Sequence, residues 1–411
     1  MADFILHSDL NCFYAGVEIN EHPELKGKCV AVCGSTENRH GIVLAKSYEA
    51  KKYGVKTGQT NADALKACPQ LIVVHPHYDL YLYYSRLVRS IYARYSRFIE
   101  PFGMDENWIL LPSLSGIDRA EAIAQEIRET VKNETGLTVS VGVSFSKVFA
   151  KLGSDMKKPD AVTVISRENY REKVWPLPAA ELLYVGPHTA RHLAELGIYT
   201  IGQLAEAGED CVKGRLGKNG LMLRAFARGE DGSSVAPQGY SSPIKSVGHG
   251  TTTLSDLYLP GEVWPVVYEL SQDVNHRLRK NGFLARQVTL AIRYSDLETF
   301  MFQCPMPSPT RSPLDIARWA FRLYTAHAEH GRGIRSLTVT AGRLIPDSDP
   351  VQQDFFGAAR QAEKRRALED CVDDVRGRFG EQCLKAASLL PPVPMAKDRC
   401  EKVTMPALMY R

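Results

Sequence analysis

Three acids stand out for where they sit. Phe4-Ile-Leu-His-Ser-Asp9 is an apolar run that delivers an aspartate at its end, just before a turn into Asn11-Cys12-Phe13-Tyr14. Much further along, Asp105 and Glu106 are adjacent in a tight turn between two strand-like runs, Ile99-Glu-Pro-Phe and Trp108-Ile-Leu-Leu. Strand ends are where a rigid scaffold presents its ligands. If the strands bearing Asp9 and Asp105 are neighbours, three carboxylates converge, and like charges that close repel unless cations neutralise them. Hard oxygen donors suit Mg2+. Two such ions clamped between carboxylates are the equipment for in-line displacement at phosphorus. Taken singly, Asp9 also reads as an ordinary N-cap or turn acid, and Asp-Glu pairs are common on surfaces. The constellation, not any one residue, points to chemistry.

The elements that must position these acids lie in residues 1–166, which read as mixed α and β. Strands are expected at Phe4–Ser8 and Ala161–Ile165 and a long helix at Tyr78–Arg97. Asp118–Lys132 carries Ile123, Ile127 and Val131 at i, i+4, i+8, and Leu137–Val143 alternates like a half-buried strand. This is the order of a split βαβ sheet with helices on one face. A subdomain is inserted at 19–75, with a strand at Cys29–Cys33 and short helices at Glu49–Tyr53 and Ala62–Ala67. Residues 167–232 turn to short helices and glycine turns. There, Val185-Gly186-Pro-His-Thr-Ala and Leu196-Gly197-Ile-Tyr-Thr have the form of a helix-hairpin-helix, whose free backbone N–H groups donate to a DNA phosphate. An αα-hairpin that binds nothing fits the same residues.

Gly229–Ser242 has linker composition. A second mixed region, Pro243–Leu344, shows strands at Gln287–Arg293 and Ser336–Thr340 and helices at Val263–Lys280 and Leu314–His330. Its Lys245, Arg277, Arg279, Lys280, Arg286, Arg293, Arg332 and Arg335 form either a phosphate track or a solvated basic face. A tail lies beyond Pro346, with Val351-Gln-Gln-Asp-Phe-Phe and a charged helix at Ala358–Arg378.

A chain of 411 residues suggests about three domains. Hydrophobic content of 44% with 24% charged residues excludes collagen-like, wholly disordered and membrane-embedded classes. The start Met1-Ala-Asp-Phe lacks a basic n-region and reads as a first strand rather than a signal peptide, so a cytoplasmic protein without a membrane partner is expected. Nine cysteines without a C-x2-C pair argue against a disulfide framework and a zinc ribbon. A net charge of +4 is compatible with a polyanionic partner.

With these segments in order, the chain resembles the Y-family DNA polymerases, the translesion enzymes of the bacterial polymerase IV and polymerase V catalytic-subunit type. The likeness extends over Gly41-Ile-Val-Leu-Ala-Lys-Ser-Tyr48-Glu-Ala-Lys51, Ser140-Val-Gly-Val-Ser-Phe-Ser-Lys-Val-Phe-Ala-Lys and Asp155-Met-Lys-Lys158-Pro. It implies an α+β multidomain right hand. The parts would be a ferredoxin-like palm at 1–18 and 76–166, small fingers at 19–75, a helix-hairpin-helix thumb at 167–232, a linker at 233–242, a mixed βα little finger at 243–345 and a tail at 346–411. Asp9, the Leu10 carbonyl and Asp105 would hold the nucleotide-side Mg2+, and Glu106 would help hold a second ion at the primer 3′-hydroxyl. Tyr48, Lys51, Lys158 and the backbone N–H groups of Cys12, Phe13 and Tyr14 would bind the dNTP, with Tyr14 as steric gate. Primer-template DNA would meet Gly186, Gly197, Lys245, Arg293 and Arg335. Gln352, Phe355 and Phe356 would dock on the β sliding clamp.

A monomeric polymerase of low fidelity is implied, its roof formed by Ile42, Val43 and Ala45. The rival readings are a catalytically inactive, clamp-bound DNA-binding protein of the same fold and a two-metal nuclease, in which Tyr14 and the triphosphate lysines would have no task. The chain departs from the family pattern at several positions. Lys51 stands where Arg is common and Ala45 where a hydroxyl is frequent. Gly103 and Met104 precede the acidic pair, Asn11 replaces a second acid, and Tyr184 replaces a first turn glycine.

Overall fold

The computed structural model describes residues 2–37, 39, 41–329, 331–349, 358–380 and 383–389. They divide into two compact units, one containing residues 2–34 and Ile42–Ser242, the other containing the described residues of 35–41 and of 243–389.

The first unit is built on β1 (Ala2–Leu10), β5 (Ile99–Phe102), β6 (Glu106–Leu114), β7 (Val139–Ser144) and β8 (Val162–Ile165), in the order β5-β6-β1-β7-β8. Its helices are α1 (Phe13–Glu21), α4 (Tyr78–Tyr92), α5 (Ile117–Thr135) and α6 (Lys147–Met156). The inserted segment supplies β2 (Val30–Cys33), β3 (Val43–Lys46), α2 (Tyr48–Lys52), α3 (Asn61–Ala67) and β4 (Ile72–Val74). It forms its own sheet, β3-β2-β4, around a small core of Cys29, Ala31, Cys33, Val43, Ala50, Val55, Ala64, Cys68 and Leu71.

The helices of the five-stranded sheet cover both faces, not one. Strand β7 shows why: Val139, Val141 and Val143 join the core with α4 and α5, while Ser140, Gly142 and Ser144 point the other way, towards α6. Those small residues let α6 lie directly on the strand. A Cβ on Gly142 would run into the Ala150 carbonyl and come within 2.6 Å of the Ser154 nitrogen. Strand β1 is split in the same way. Phe4, Leu6 and Leu10 enter the α4 and α5 core, and Ser8 bonds the Tyr92 hydroxyl at 2.8 Å. Ile5, His7 and Asp9 face α6, with His7 Nδ1 2.8 Å from Ser154 Oγ. Alternation along one strand thus separates packing residues from chemical ones.

Next along the chain come four helices: α7 (Tyr170–Val174), α8 (Pro187–Glu195), α9 (Ile201–Glu206) and α10 (Glu209–Ala227). They share a core with Ile5, Trp108 and α6. The expected linker begins fastened to α6 and β5. Asp231 accepts from the Val148 N–H, the Lys147 ammonium donates to the Ser234 carbonyl, and the Ala236 N–H donates to Glu100. Val235 and Ala236 are buried, and the Gln238 N–H reaches the Arg97 carbonyl.

The second unit is an antiparallel sheet of β9 (Ser246–Leu257), β10 (Phe283–Tyr294), β11 (Thr299–Thr310) and β12 (Ile334–Pro346), ordered β11-β10-β12-β9. One face is covered by α11 (Pro260–Lys280) and α12 (Pro313–His327). Strand β11 carries Pro305, Pro307 and Pro309 and is an edge strand, the place where a sheet tolerates proline. The tail helix α13 (Ala358–Phe379) docks through ion pairs: Arg279 reaches Asp373 at 2.7 Å and Asp374 at 2.6 Å, and Arg311 reaches Asp370 at 2.7 Å.

Candidate active site

The pairing of β1 with β6 sets Asp9 opposite Glu106, while on its other side Asp9 pairs with Ser140 of β7. Asp105 sits in the turn between β5 and β6. Gly103 takes φ +91° there, a left-handed conformation open to glycine, and the Asp105 carbonyl accepts the Leu10 N–H at 3.1 Å. Neighbouring strands therefore bring Asp9, Leu10, Asp105 and Glu106 to one edge of the sheet.

Two ammonium groups already face these acids. Lys158 Nζ lies 2.8 Å from Asp9 and 2.9 Å from Asp155, and Lys151 Nζ lies 2.6 Å from Glu106. Asp105 has no ion-pair partner among the described residues. Burial, with Asp9 and Glu106 nearby, pushes its carboxyl up to about 6. Burial likewise raises Asp9, against the pull of Lys158. Burial also opposes ionisation of Glu106, yet His7 and Lys151 outweigh it and hold this carboxyl at about 2. Burial works against the Lys158 charge, but Asp9 and Asp155 drive its pKa upward. His7 is fully buried, and burial lowers its pKa. Among the described residues, no three acid, histidine or cysteine side chains are gathered as a ready-made ion shell. The acids are spaced around lysines instead.

The turn from β1 into α1 places Cys12 at φ 44°, after which the first backbone N–H groups of α1 have no partner within the helix. Phe13 is buried in the core. Tyr14 is half-buried and held on three sides: stacked on Tyr81 at 4.3 Å between centroids, edge-on to Tyr78, and with its hydroxyl 3.3 Å from Met104 Sδ. Tyr48 begins α2, whose N-terminus is capped by Ser47. Burial, then Cys12, pushes its hydroxyl up to about 12, and Lys158 and Asp9 also lie within its electrostatic reach. Lys51 Nζ lies 5.7 Å from the Tyr48 ring centre. Ile42 is exposed, whereas Val43 is buried inside the inserted sheet's own core, so it cannot belong to a roof over the site.

The remaining expected residues lie elsewhere. Gly186 precedes α8, and Gly197, at φ +74°, joins α8 to α9; a Cβ at either would meet nothing within 4 Å. Tyr184 keeps the left-handed conformation of a turn glycine, φ 69°, which costs about 1 kcal/mol in backbone strain. Lys245 and Arg293 are exposed in the second unit, and Arg335 is partly so. Of the broader basic set, Arg277 pairs with Asp273, Arg279 with the tail helix, and Arg332 with Asp296, Glu298 and Glu329. Those three guanidiniums face carboxylates of their own unit. The sheet face away from α11 and α12 is paved with small and hydroxyl-bearing residues: Gly250 faces Thr338 so closely that a Cβ there would collide with it. Gln352, Phe355 and Phe356 lie outside the described residues.

Sequence reasoning assigned no role to Lys151, His7 or Asn11. Lys151 and His7 grip Glu106. Asn11 donates to Ser140 at 3.0 Å and accepts from the Asp160 N–H at 2.8 Å, which ties the end of β1 to the loop carrying Lys158. All three stand inside the local motifs, but their partners are distant in sequence and leave no spacing signal.

The profile of the impB/mucB/samB family matches residues 8–155, and that of the family's C-terminal domain matches 244–355. The DNA polymerase IV of Acetivibrio thermocellus is 44% identical over 391 residues, 95% of this chain and 98% of that one. The DNA polymerase IV of Moorella thermoacetica is 35% identical over 385 residues, 93% of this chain and 95% of that one. Among solved structures, a Y-family DNA polymerase chimera superposes with a TM-score of 0.73 at 22% identity, covering 84% of this chain and 99% of the other, which shows the right-hand polymerase fold. The chain belongs to the impB/mucB/samB family, the Y-family DNA polymerases that include the bacterial DNA polymerase IV enzymes.

Proposed function

We propose that this DNA-directed DNA polymerase moves nucleotidyl groups from a dNTP to a primer 3′-hydroxyl using two Mg2+ ions, with low fidelity and across damaged template bases. The observation that carries the reading is the edge of the sheet where Asp9, Asp105 and Glu106 meet, two of them faced by ammonium groups and the third without an ion-pair partner among the described residues. These donors fit divalent cations. They are hard carboxylate oxygens, cationic groups already rest against them, and the unpartnered Asp105 is the acid that a nearby ion would favour as the anion. Asp9, the Leu10 carbonyl and Asp105 would hold the nucleotide-side ion, and Glu106 would help hold the other. Bound there, the ions supply a lowered pKa at the 3′-hydroxyl and charge stabilisation at phosphorus.

The protein's own groups do the positioning. The N–H groups at the start of α1 converge on the triphosphate. Tyr48, a neutral phenol whose hydroxyl burial pushes up to about 12, donates to a phosphate oxygen, with Lys51 beside it. Lys158 neutralises the triphosphate by passing its charge from Asp9. The Tyr14 ring, fixed by its stack on Tyr81, takes the volume a 2′-hydroxyl would need. Gly186, Gly197, Lys245, Arg293 and Arg335 meet the duplex backbone, and the small side chains on the open sheet face permit close approach. Ile42 and Ala45 offer a shallow apolar roof, so little binding energy depends on base-pair shape and discrimination is weak. Gln352, Phe355 and Phe356 dock on the β sliding clamp. The helix after them has ion pairs of its own to Arg279 and Arg311.

Gel-resolved primer extension with Mg2+ on undamaged and damaged templates tests the reading. Asp105→Ala and Glu106→Ala should abolish incorporation while primer-template binding survives, because affinity comes from basic groups on phosphates. Wild-type shortening of the primer would instead make the chain a nuclease, and no reaction a binding protein.

A further inference from the structure

The turn that carries Asp105 has little of its own to hold it. Gly103 gives it the widest backbone freedom of any residue, and the only backbone tie described for it beyond the hairpin is the Leu10 N–H on the Asp105 carbonyl. Behind the turn, helix α4 presents Ser85 and Arg89, one helical turn apart. The Ser85 hydroxyl donates to the Met104 carbonyl at 2.5 Å. Arg89 donates from one nitrogen to Ser85 Oγ at 2.9 Å and, more weakly, to the Gly103 carbonyl at 3.4 Å. Because the serine oxygen accepts from a guanidinium, its single proton must point at Met104. The chain Arg89 to Ser85 to Met104 therefore has one direction and cannot reverse.

Arg89 is an unusual residue to find there. It has no carboxylate within ion-pair distance among the described residues, its Nε is buried without a hydrogen-bond partner, and Arg86 adds a like charge. A partly buried cation without a counter-ion is costly and persists only where something offsets it. The Tyr92 hydroxyl, bonded to Ser8 beside Asp9, lies within the fields of both Asp9 and Arg89.

We propose that Arg89, acting through Ser85, is a positioning residue for the metal-binding turn: it fixes the 103–104 peptides and so aims the Asp105 carboxylate. This rests on the assignment of Asp105 as a metal-binding acid. Arg89 itself touches neither nucleotide nor metal. Its loss should act as removal of a supporting partner does at other metal sites, on metal affinity and rate together by roughly 10- to 100-fold.

The test uses the full chain with Arg89→Met, Arg89→Lys, Ser85→Ala and, as a reference, Asp105→Ala. Single-nucleotide incorporation is followed against Mg2+ concentration, with primer-template affinity by fluorescence anisotropy and melting temperature recorded for each. Arg89→Met should raise the Mg2+ concentration for half-maximal rate about tenfold or more and slow incorporation at saturating Mg2+, with DNA affinity unchanged. Arg89→Lys, which keeps the charge and one donor, should recover much of the metal response. Ser85→Ala should shift the Mg2+ curve in the same direction and keeps the test available if Arg89→Met does not fold. A wild-type Mg2+ curve in Arg89→Met and Ser85→Ala, with Asp105→Ala inactive, overturns the proposal but leaves the active-site reading standing. An active Asp105→Ala overturns that reading itself. A loss in Arg89→Met that tracks only the unfolded fraction, with the Mg2+ midpoint unmoved, shows a purely structural residue.

Discussion

Glu100→Gln should be among the most destabilising single changes in the first unit. The Lys147 ammonium and the Glu100 carboxylate are 2.7 Å apart with side chains 0% and 6% exposed, and the ammonium also lies 4.5 Å from the centre of the Trp108 ring. Glutamine preserves volume and can still accept the Ala236 N–H, so the change removes the countercharge and little else. Stranding one member of a buried pair costs about 3–5 kcal/mol. At about 2–4 °C per kcal/mol for a unit of this size, the melting temperature should fall by roughly 6–20 °C. Differential scanning calorimetry of the full chain reads this directly. Replacing both groups with apolar ones, Glu100→Leu with Lys147→Met, should recover most of the loss, because an isosteric apolar pair is often as stable as a buried ion pair. The same double variant deletes the bonds to Ser234 and Ala236, so amide exchange at Ala236 should quicken although global stability returns. A Glu100→Gln variant melting within about 2 °C of wild type would refute the reasoning.

Tyr14→Ala should raise ribonucleotide incorporation far more than it lowers dNTP incorporation in primer extension; equal effects on both, with a lowered melting temperature, would make Tyr14 a packing residue only. Gly142→Ala should cost about 3 kcal/mol in urea unfolding, since the added methyl meets the α6 backbone and no rotamer relieves it. Asp105→Asn should alter stability with pH in a set direction. The folded pKa of Asp105, about 6, lies above its ordinary value of 3.8, so its contribution is present below about pH 4 and lost as pH rises through 6. Without divalent ions the asparagine variant should therefore melt above wild type near pH 7 and level with it near pH 4. A difference that does not change with pH would refute the assignment of that shift.

Local patterns in the chain were enough to read the order of many elements and to single out the candidate acids Asp9, Asp105 and Glu106. Helices such as α5, expected at Asp118–Lys132 and found at Ile117–Thr135, announce themselves through apolar spacing, and the acidic turns through short motifs. These signals are local, and so are the forces behind them. The helix at Tyr78–Arg97 was legible too, but it stops at Tyr92. Strands β9 and β11 escaped notice because glycines, threonines and an edge strand's prolines hide the alternation. Only the tertiary structure decided that helices cover both faces of the five-stranded sheet, through the small-residue side of β7 against α6. It alone set Asp9 opposite Glu106 and gave each a lysine, brought Lys147 to Glu100, and placed Arg89 against the Gly103 carbonyl. Each of these pairings is made by burial and strand register between residues far apart in the chain. The energy of such a contact depends on solvent exclusion and neighbouring charge, neither of which is written in the spacing of residues along the sequence.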